Sequence, residues 1–286
     1  MNNLVKYILI SAISLAFVSC NSDDDTPVAN NVKLEFRNTF GDTEIVLGEA
    51  ISSTATVNTS KAGQVHHFSE LKYVISNIRL VKAGGKEVSY NINDLDKGAT
   101  VVNQSIPATL NYVLNNISSG EYKQIKFGLG IRAGLNTLDQ VKFPNFYALA
   151  GANDTQMMWE WGTGYRFTKI EGFYDADSKA MSIHTGSTVE GINGDESTYM
   201  QGVDAYRDIV LDLPVNAVVG SKAPAIIIKA DFDKLLSGSA NSIKLGAENA
   251  TPSIHTAANM VKFVDNLGGN GITDLKGMFS VIHVEN

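Results

Sequence analysis

Few side chains in this sequence can hold a metal or attack a bond. There are five histidines (His66, His67, His184, His255 and His283), one cysteine (Cys20) and two tryptophans, Trp159 and Trp161, which share one short stretch. Cys20 closes an N-terminal apolar run, so the body of the chain has no thiol, and disulfides, thiolate metal sites and a cysteine nucleophile drop out together. A transition-metal site must then use imidazole with carboxylate, carbonyl or water. Imidazole suits copper and zinc, and a given nitrogen site binds copper more tightly.

His66 and His67 are adjacent. In a regular strand they point to opposite faces and do not share one ion. His255 and His283 read as ordinary surface or hydrogen-bonded histidines. The acidic turns Asn93-Asp94-Leu95-Asp96-Lys97-Gly98 and Asp175-Ala176-Asp177 offer oxygens to calcium, but they lack the full calcium-loop spacing and read as solvated turns.

Several chemistries are excluded by reading. There is no GxxxxGK[ST] phosphate loop, no HExxH zinc pair and no GxSxG nucleophile elbow. Gly128-Leu129-Gly130 with Gly134 is misspaced for a dinucleotide turn. Asp204, Asp208 and Asp212 read as a polar strand face with no nucleophile and base beside them, which makes a hydrolase the weakest reading. The 23 Lys and Arg against 30 Asp and Glu give a net charge of −7 and a pI near 5.2. That balance argues against a nucleic-acid binder, which carries a basic footprint.

The elements that must position these residues follow an export segment. Lys6 precedes the apolar run Tyr7 to Val18, which falls short of the ~20 residues that span a bilayer and reads as a signal peptide over 1–19. Phe17-Val18-Ser19-Cys20 resembles a bacterial lipobox, with Cys20 as the lipidated first mature residue. Residues 20–31 are a polar tether whose Asp23-Asp24-Asp25 resembles a signal for export to the outer face of the outer membrane, so a surface lipoprotein is expected.

From residue 32 to 286 no domain boundary or internal repeat is evident. Alternation predicts strands at Val32–Phe36, Glu44–Leu47, Phe68–Val81, Val88–Ile92, Gly120–Gly130, Phe173–Tyr174, Met181–His184, Ile209–Leu213, Ala225–Ala230 and Met278–Val284. A Pro214 to Pro224 connection separates two of them. Short helices are predicted after Pro144, after Asp231 as its cap, and from Thr256 to Asn266. Many short strands with few helices indicate an all-β fold: a single immunoglobulin-like, irregular antiparallel β-sandwich.

The stretch Met157 to Gly172 reads as a strand with Met157, Trp159, Trp161, Tyr165 and Phe167 on one face and Glu160, Arg166 and Thr168 on a more polar back. Gly162-Thr163-Gly164 implies a bulge, a tight bend or a close approach.

Three segments resemble the MbnP-like copper-binding protein family. They are Phe68 to Leu80 with its Gly-rich turn, Gly120-Glu121-Tyr122 through Gly130, and Met158-Trp159-Glu160-Trp161 through Gly172 followed by His184-Thr185-Gly186. The resemblance implies a β-sandwich that binds copper through histidine. It also implies a nearby tryptophan which, in some members, a partner di-haem enzyme of the MauG type oxidises to kynurenine. Trp159 and Trp161 are the candidate modified residues. His184, within the motif, and His67 or His66, just before the matching strand, are the candidate ligands. The implied role is copper acquisition, buffering or delivery without turnover. The alternative is a metal-free surface module for glycan or peptide, with Tyr147 and Tyr206 as contacts.

Overall fold

The computed structural model describes residues 29–139, 141–150, 156–159, 163–246, 253–254, 257–269 and 276–286. The strands of the first third are β1 Val32–Phe40, β2 Thr43–Glu44, β3 Asn58–Thr59, β4 Val65–Lys82 and β5 Glu87–Tyr90. Helix α1 (Leu95–Gly98) leads to β6 Thr100–Asn103, β7 Asn111–Leu114 and β8 Gly120–Leu129. After helix α2 (Pro144–Ala150) come β9 Thr168–Tyr174, β10 Lys179–Thr185, β11 Val189–Glu190 and β12 Met200–Gln201. The last third holds β13 Arg207–Val219, β14 Ala225–Asp231, α3 Lys234–Ser237, β15 Ser253–Ile254, α4 Ala257–Gly268 and β16 Phe279–Glu285.

The fold is an all-β sandwich. One sheet runs β16-β14-β1-β2 with β7 also on β1, and the other runs β13-β8-β4-β9-β10-β15 with β3, β5 and β6 on β4. Most pairs are antiparallel, but β1 pairs with β14 in parallel, as β10 does with β15. Alternation within a strand marks which face is buried and says nothing about a partner's direction, so the parallel pairs are invisible in sequence. Among the described residues, no helix is long and apolar enough to cross a membrane.

Strand β4 organises the larger sheet. Its first half pairs with β9 and its second half with β8. Val74 stands at the junction, donating its N–H to Phe167 O and accepting from Gly130 N–H. Toward the other sheet β4 presents Phe68, Leu71, Tyr73 and Ile75, all fully buried. Tyr73 meets Phe36 edge-on with ring centroids 6.1 Å apart, and Phe127 meets Phe36 at 6.3 Å and Phe279 at 5.1 Å, also edge-on. Burial of each such ring contributes about 1.5–3 kcal/mol before packing terms. The Tyr73 hydroxyl donates to Asn38 Oδ1, so the one polar tip in this cluster is satisfied.

Three expectations are corrected. Residues 45–47 are not strand, because β2 ends at Glu44. Strand β13 continues through Pro214, where the register slips between Asp212 and Ala217. Proline has no N–H to donate and is accommodated at a bulge in this edge strand. The tryptophan stretch is not one strand: only 168–174 is β9, and the residues before it turn back on themselves.

Candidate functional site

Antiparallel pairing puts residues directly opposite one another on the same face. Lys169 of β9 lies opposite His184 of β10 and Lys72 of β4, and Glu171 lies opposite Ser182 and Glu70. These six side chains stand on the face of the sheet turned away from the aromatic core. Lys72, Lys169 and His184 are nevertheless buried there.

The returning tryptophan segment lies beside them. Met158 bridges Tyr165, Trp159 N–H donates to Gly164 O, and Arg166 N–H donates to Met157 O. Gly164 has φ +104°, and a Cβ there would sit 2.7 Å from Asn136 Oδ1. The glycine therefore serves both a tight turn and a close approach, as the sequence implied. Met157, Trp159, Tyr165 and Phe167 are buried as expected, but so is Arg166. Its guanidinium lies 5.2 Å from the centroid of the Trp159 ring. That ring is 6.4 Å from the His184 ring.

Charges in this layer are tightly paired. Lys169 Nζ donates to Glu70 Oε1 (3.0 Å), Glu70 Oε2 (2.8 Å) and Gln156 Oε1 (2.8 Å). Lys72 forms an ion pair with the same Glu70 carboxylate. Arg166 Nη1 donates to Gln156 O at 2.7 Å, and Gln156 holds a positive φ of 53°. Three cations thus face two carboxylates, a costly arrangement in a dry layer unless every contact is in place.

His184 Nε2 lies 2.9 Å from Glu171 Oε1 and 3.2 Å from Ser182 Oγ. The hydrogen bond from His184 holds the Glu171 carboxyl below its usual range. Burial lowers the pKa of His184, partly opposed by Glu171. At neutral pH the pair is therefore a carboxylate accepting from a neutral imidazole. An ionised carboxylate only accepts, so the proton sits on Nε2 and the lone pair on Nδ1.

The other predicted ligands lie elsewhere. His66 points into the sandwich, its ring edge-on to Phe40 at 5.3 Å and its Nδ1 3.4 Å from Gln64 O. Its Nε2 is buried without a hydrogen-bond partner among the described residues. His67 shares the face of His184 but lies opposite Phe173, four residues along β9 from Lys169. Its Nε2 is 3.1 Å from Glu49 O and its ring 5.3 Å from Phe173. The structure does not bring His66, His67 and His184 together. Among the described residues, no group of three His, Cys, Asp or Glu stands ready to hold a metal.

Cys20, Trp161 and His255 lie outside the described residues. His255 follows Ile254, which pairs with Ile183, the residue before His184. His283 is exposed on β16.

The acidic turns are engaged by the protein's own donors. Asp94 caps α1, Asp96 accepts from Phe146 N–H at the start of α2, and Asp175 accepts from Gln64 and Lys179. Asp208 pairs with Arg79 and Asp212 accepts from Gln124. Tyr206 is tied to Asn77 and Asp208. The residues that sequence reasoning missed are Glu70, Lys72, Lys169 and Glu171. Their signal was the matched parity of Glu70-Leu71-Lys72 and Lys169-Ile170-Glu171, which reads as a solvated face until a second layer covers it.

The MbnP family model matches residues 29–257 of this chain. The structure is similar to that of MbnP from Methylosinus trichosporium, with a TM-score of 0.54 at 15% identity over 89% of this chain and 98% of that one. At that identity the likeness speaks for the fold alone. Comparison with curated proteins returned no matching relative.

Proposed function

Since the chain belongs to the MbnP family, we propose that it has a copper-related role: an extracytoplasmic protein, lipid-anchored through Cys20 at the outer membrane surface, that binds copper for acquisition, buffering or delivery and performs no turnover. The observation that carries this reading is His184. It is buried beside Trp159 within the family-like segment, and its Nε2 is held by the Glu171 carboxylate, which orients the ring. A carboxylate on the second nitrogen is the usual support of a metal-binding imidazole.

His184 supplies one ligand, and copper needs others. The remaining ligands are to be sought by substituting the other histidines one at a time. His66 and His67 are not assigned to this site. Copper, when bound, would supply a centre for nitrogen ligation, while this chain's own residues orient the imidazole and keep it neutral.

Oxidation of a tryptophan to kynurenine by a MauG-type partner is the finer part of the proposal. A cation over an indole resists loss of an electron from that ring, so Arg166 above Trp159 favours Trp161 as the modified residue.

Isothermal titration of the lipid-free protein with Cu(I) and Cu(II) tests the reading. We expect binding that His184→Ala abolishes, that Glu171→Gln weakens by about 10–100-fold, and that His67→Ala leaves unchanged. An absence of binding, or binding indifferent to His184→Ala, would overturn it. Mass spectrometry of the tryptic peptide carrying both tryptophans separates the oxidation question from the metal question.

A further inference from the structure

A half-open cleft of about 310 Å³ lies between residues 133–137 with Lys142 on one side and the two-stranded ribbon of β11 and β12 on the other. That volume is at the lower end of the range for small-ligand sites. Its floor is rigid. Asn136, which is buried, accepts from Tyr165 N–H through Oδ1 and donates to Ser187 O through Nδ2, tying the loop to the segments on either side. Among the described residues the apolar wall is small, with Val189 its largest aliphatic side chain. Tyr199 adds an aromatic face, its hydroxyl held by Gly194 N–H at 3.2 Å.

The polar groups left for a ligand are of mixed sign and cancel. Lys142 and Glu196 form an ion pair, so they present donors and acceptors side by side without net charge. Gln201 carries an Oε1 with no hydrogen-bond partner among the described residues. A charged ligand would have to break the Lys142–Glu196 pair and leave one partner uncompensated. A neutral ligand with adjacent hydroxyls can accept from the ammonium and donate to the carboxylate at once, and donate a further hydroxyl to Gln201. The apolar C–H face of a sugar ring matches Tyr199.

From this geometry we infer that the cleft is a binding site for one neutral sugar ring, distinct from the layer around His184. The site lies along the β11–β12 ribbon and is suited to a terminal glycan residue. It does not depend on the copper reading, because it shares none of the residues assigned there.

Saturation-transfer NMR on the full folded domain tests this with the methyl glycosides of glucose, galactose, mannose and N-acetylglucosamine, and with methyl glucuronide, an anion at neutral pH, as a charged control. At least one glycoside is expected to show transfer to its ring protons. Tyr199→Ala should weaken that binding by about tenfold, as expected for loss of one good contact worth ~1.4 kcal/mol. Glu196→Gln, an exposed isosteric change, guards against a folding artefact and should weaken it several-fold. His184→Ala should leave it unchanged. Transfer to none of the neutral glycosides, transfer indifferent to both cleft variants, or transfer to the charged glucuronide alone would overturn the assignment.

Discussion

On the inner face of β4, Phe68, Leu71 and Tyr73 lie in an aromatic cluster whose contacts are edge-on and tilted rings. On the outer face of the same few residues, Glu70 and Lys72 lie in a layer held by ion pairs and amide contacts. Both faces are shielded from water, yet they differ in how they tolerate error. Rings tolerate small shifts because dispersion and apolar burial have no direction. A buried ammonium tolerates almost none, since losing its carboxylate leaves a charge in a poor solvent. The inner face therefore supplies stability. The outer face holds a few groups, His184 among them, in defined positions and charge states.

The sharpest way to break this comparison is to damage each face in turn. Phe127→Ala on the inner side should cost about 3–5 kcal/mol, read as a lower urea midpoint, because a fully buried ring leaves a cavity. Glu70→Gln should cost about 3 kcal/mol, at the low end for a broken buried pair because Glu70 is partly exposed. If the outer layer exists for position and not stability, replacing the triad together (Glu70→Leu, Lys72→Met, Lys169→Met) should recover most of that loss. A triple variant no more stable than Glu70→Gln would count against the distinction.

Acid acts on both faces. Burial lowers the pKa of His66 on the inner side and of His184 on the outer. The unfolded chain takes up these protons first, so stability is full above the ordinary histidine value near 6.5 and falls as pH drops below it toward the folded values. Glu171, also lowered, contributes above 4.5 and loses that contribution as pH falls further. Urea midpoints at pH 7.5 and pH 5 should therefore decline, and His66→Phe should flatten the decline. A profile that His66→Phe leaves equally steep would place the titration elsewhere.

The smallest expected effect concerns a polar pair within the inner face. Thr168 and Thr185 hydroxyls meet at 2.8 Å, fully buried. Thr168→Val alone should cost about 1 kcal/mol by stranding its partner, whereas adding Thr185→Val should return stability close to wild type. Thermal unfolding of both variants reads the difference.

The strands β4 and β8, the polar hairpin turn after Tyr174 and the burial of Met157, Trp159, Tyr165 and Phe167 were all legible in the sequence. Those features depend on neighbours a few residues apart. The reversal within the tryptophan stretch was not legible, because a folded-back segment and a straight strand can bury the same side chains. Gly162-Thr163-Gly164 was its only local sign. Pro214 misled for the opposite reason: a local rule against proline in strands gave way to a bulge on an edge.

His184 was marked by its segment, but its charge state was not. That state required Glu171 to arrive opposite Ser182 and Lys169 opposite His184, contacts set by the β9–β10 register. Likewise the burial of Lys72 and Lys169 depends on the segment packed over them, which no local pattern marks. Sequence alone determined which residues alternate inward, how the chain is punctuated and which side chains have the chemistry to matter. Tertiary structure decided which of them meet and which are cut off from water, because strand partners and covering layers come from chain segments far apart in sequence, and solvation depends on what those segments enclose.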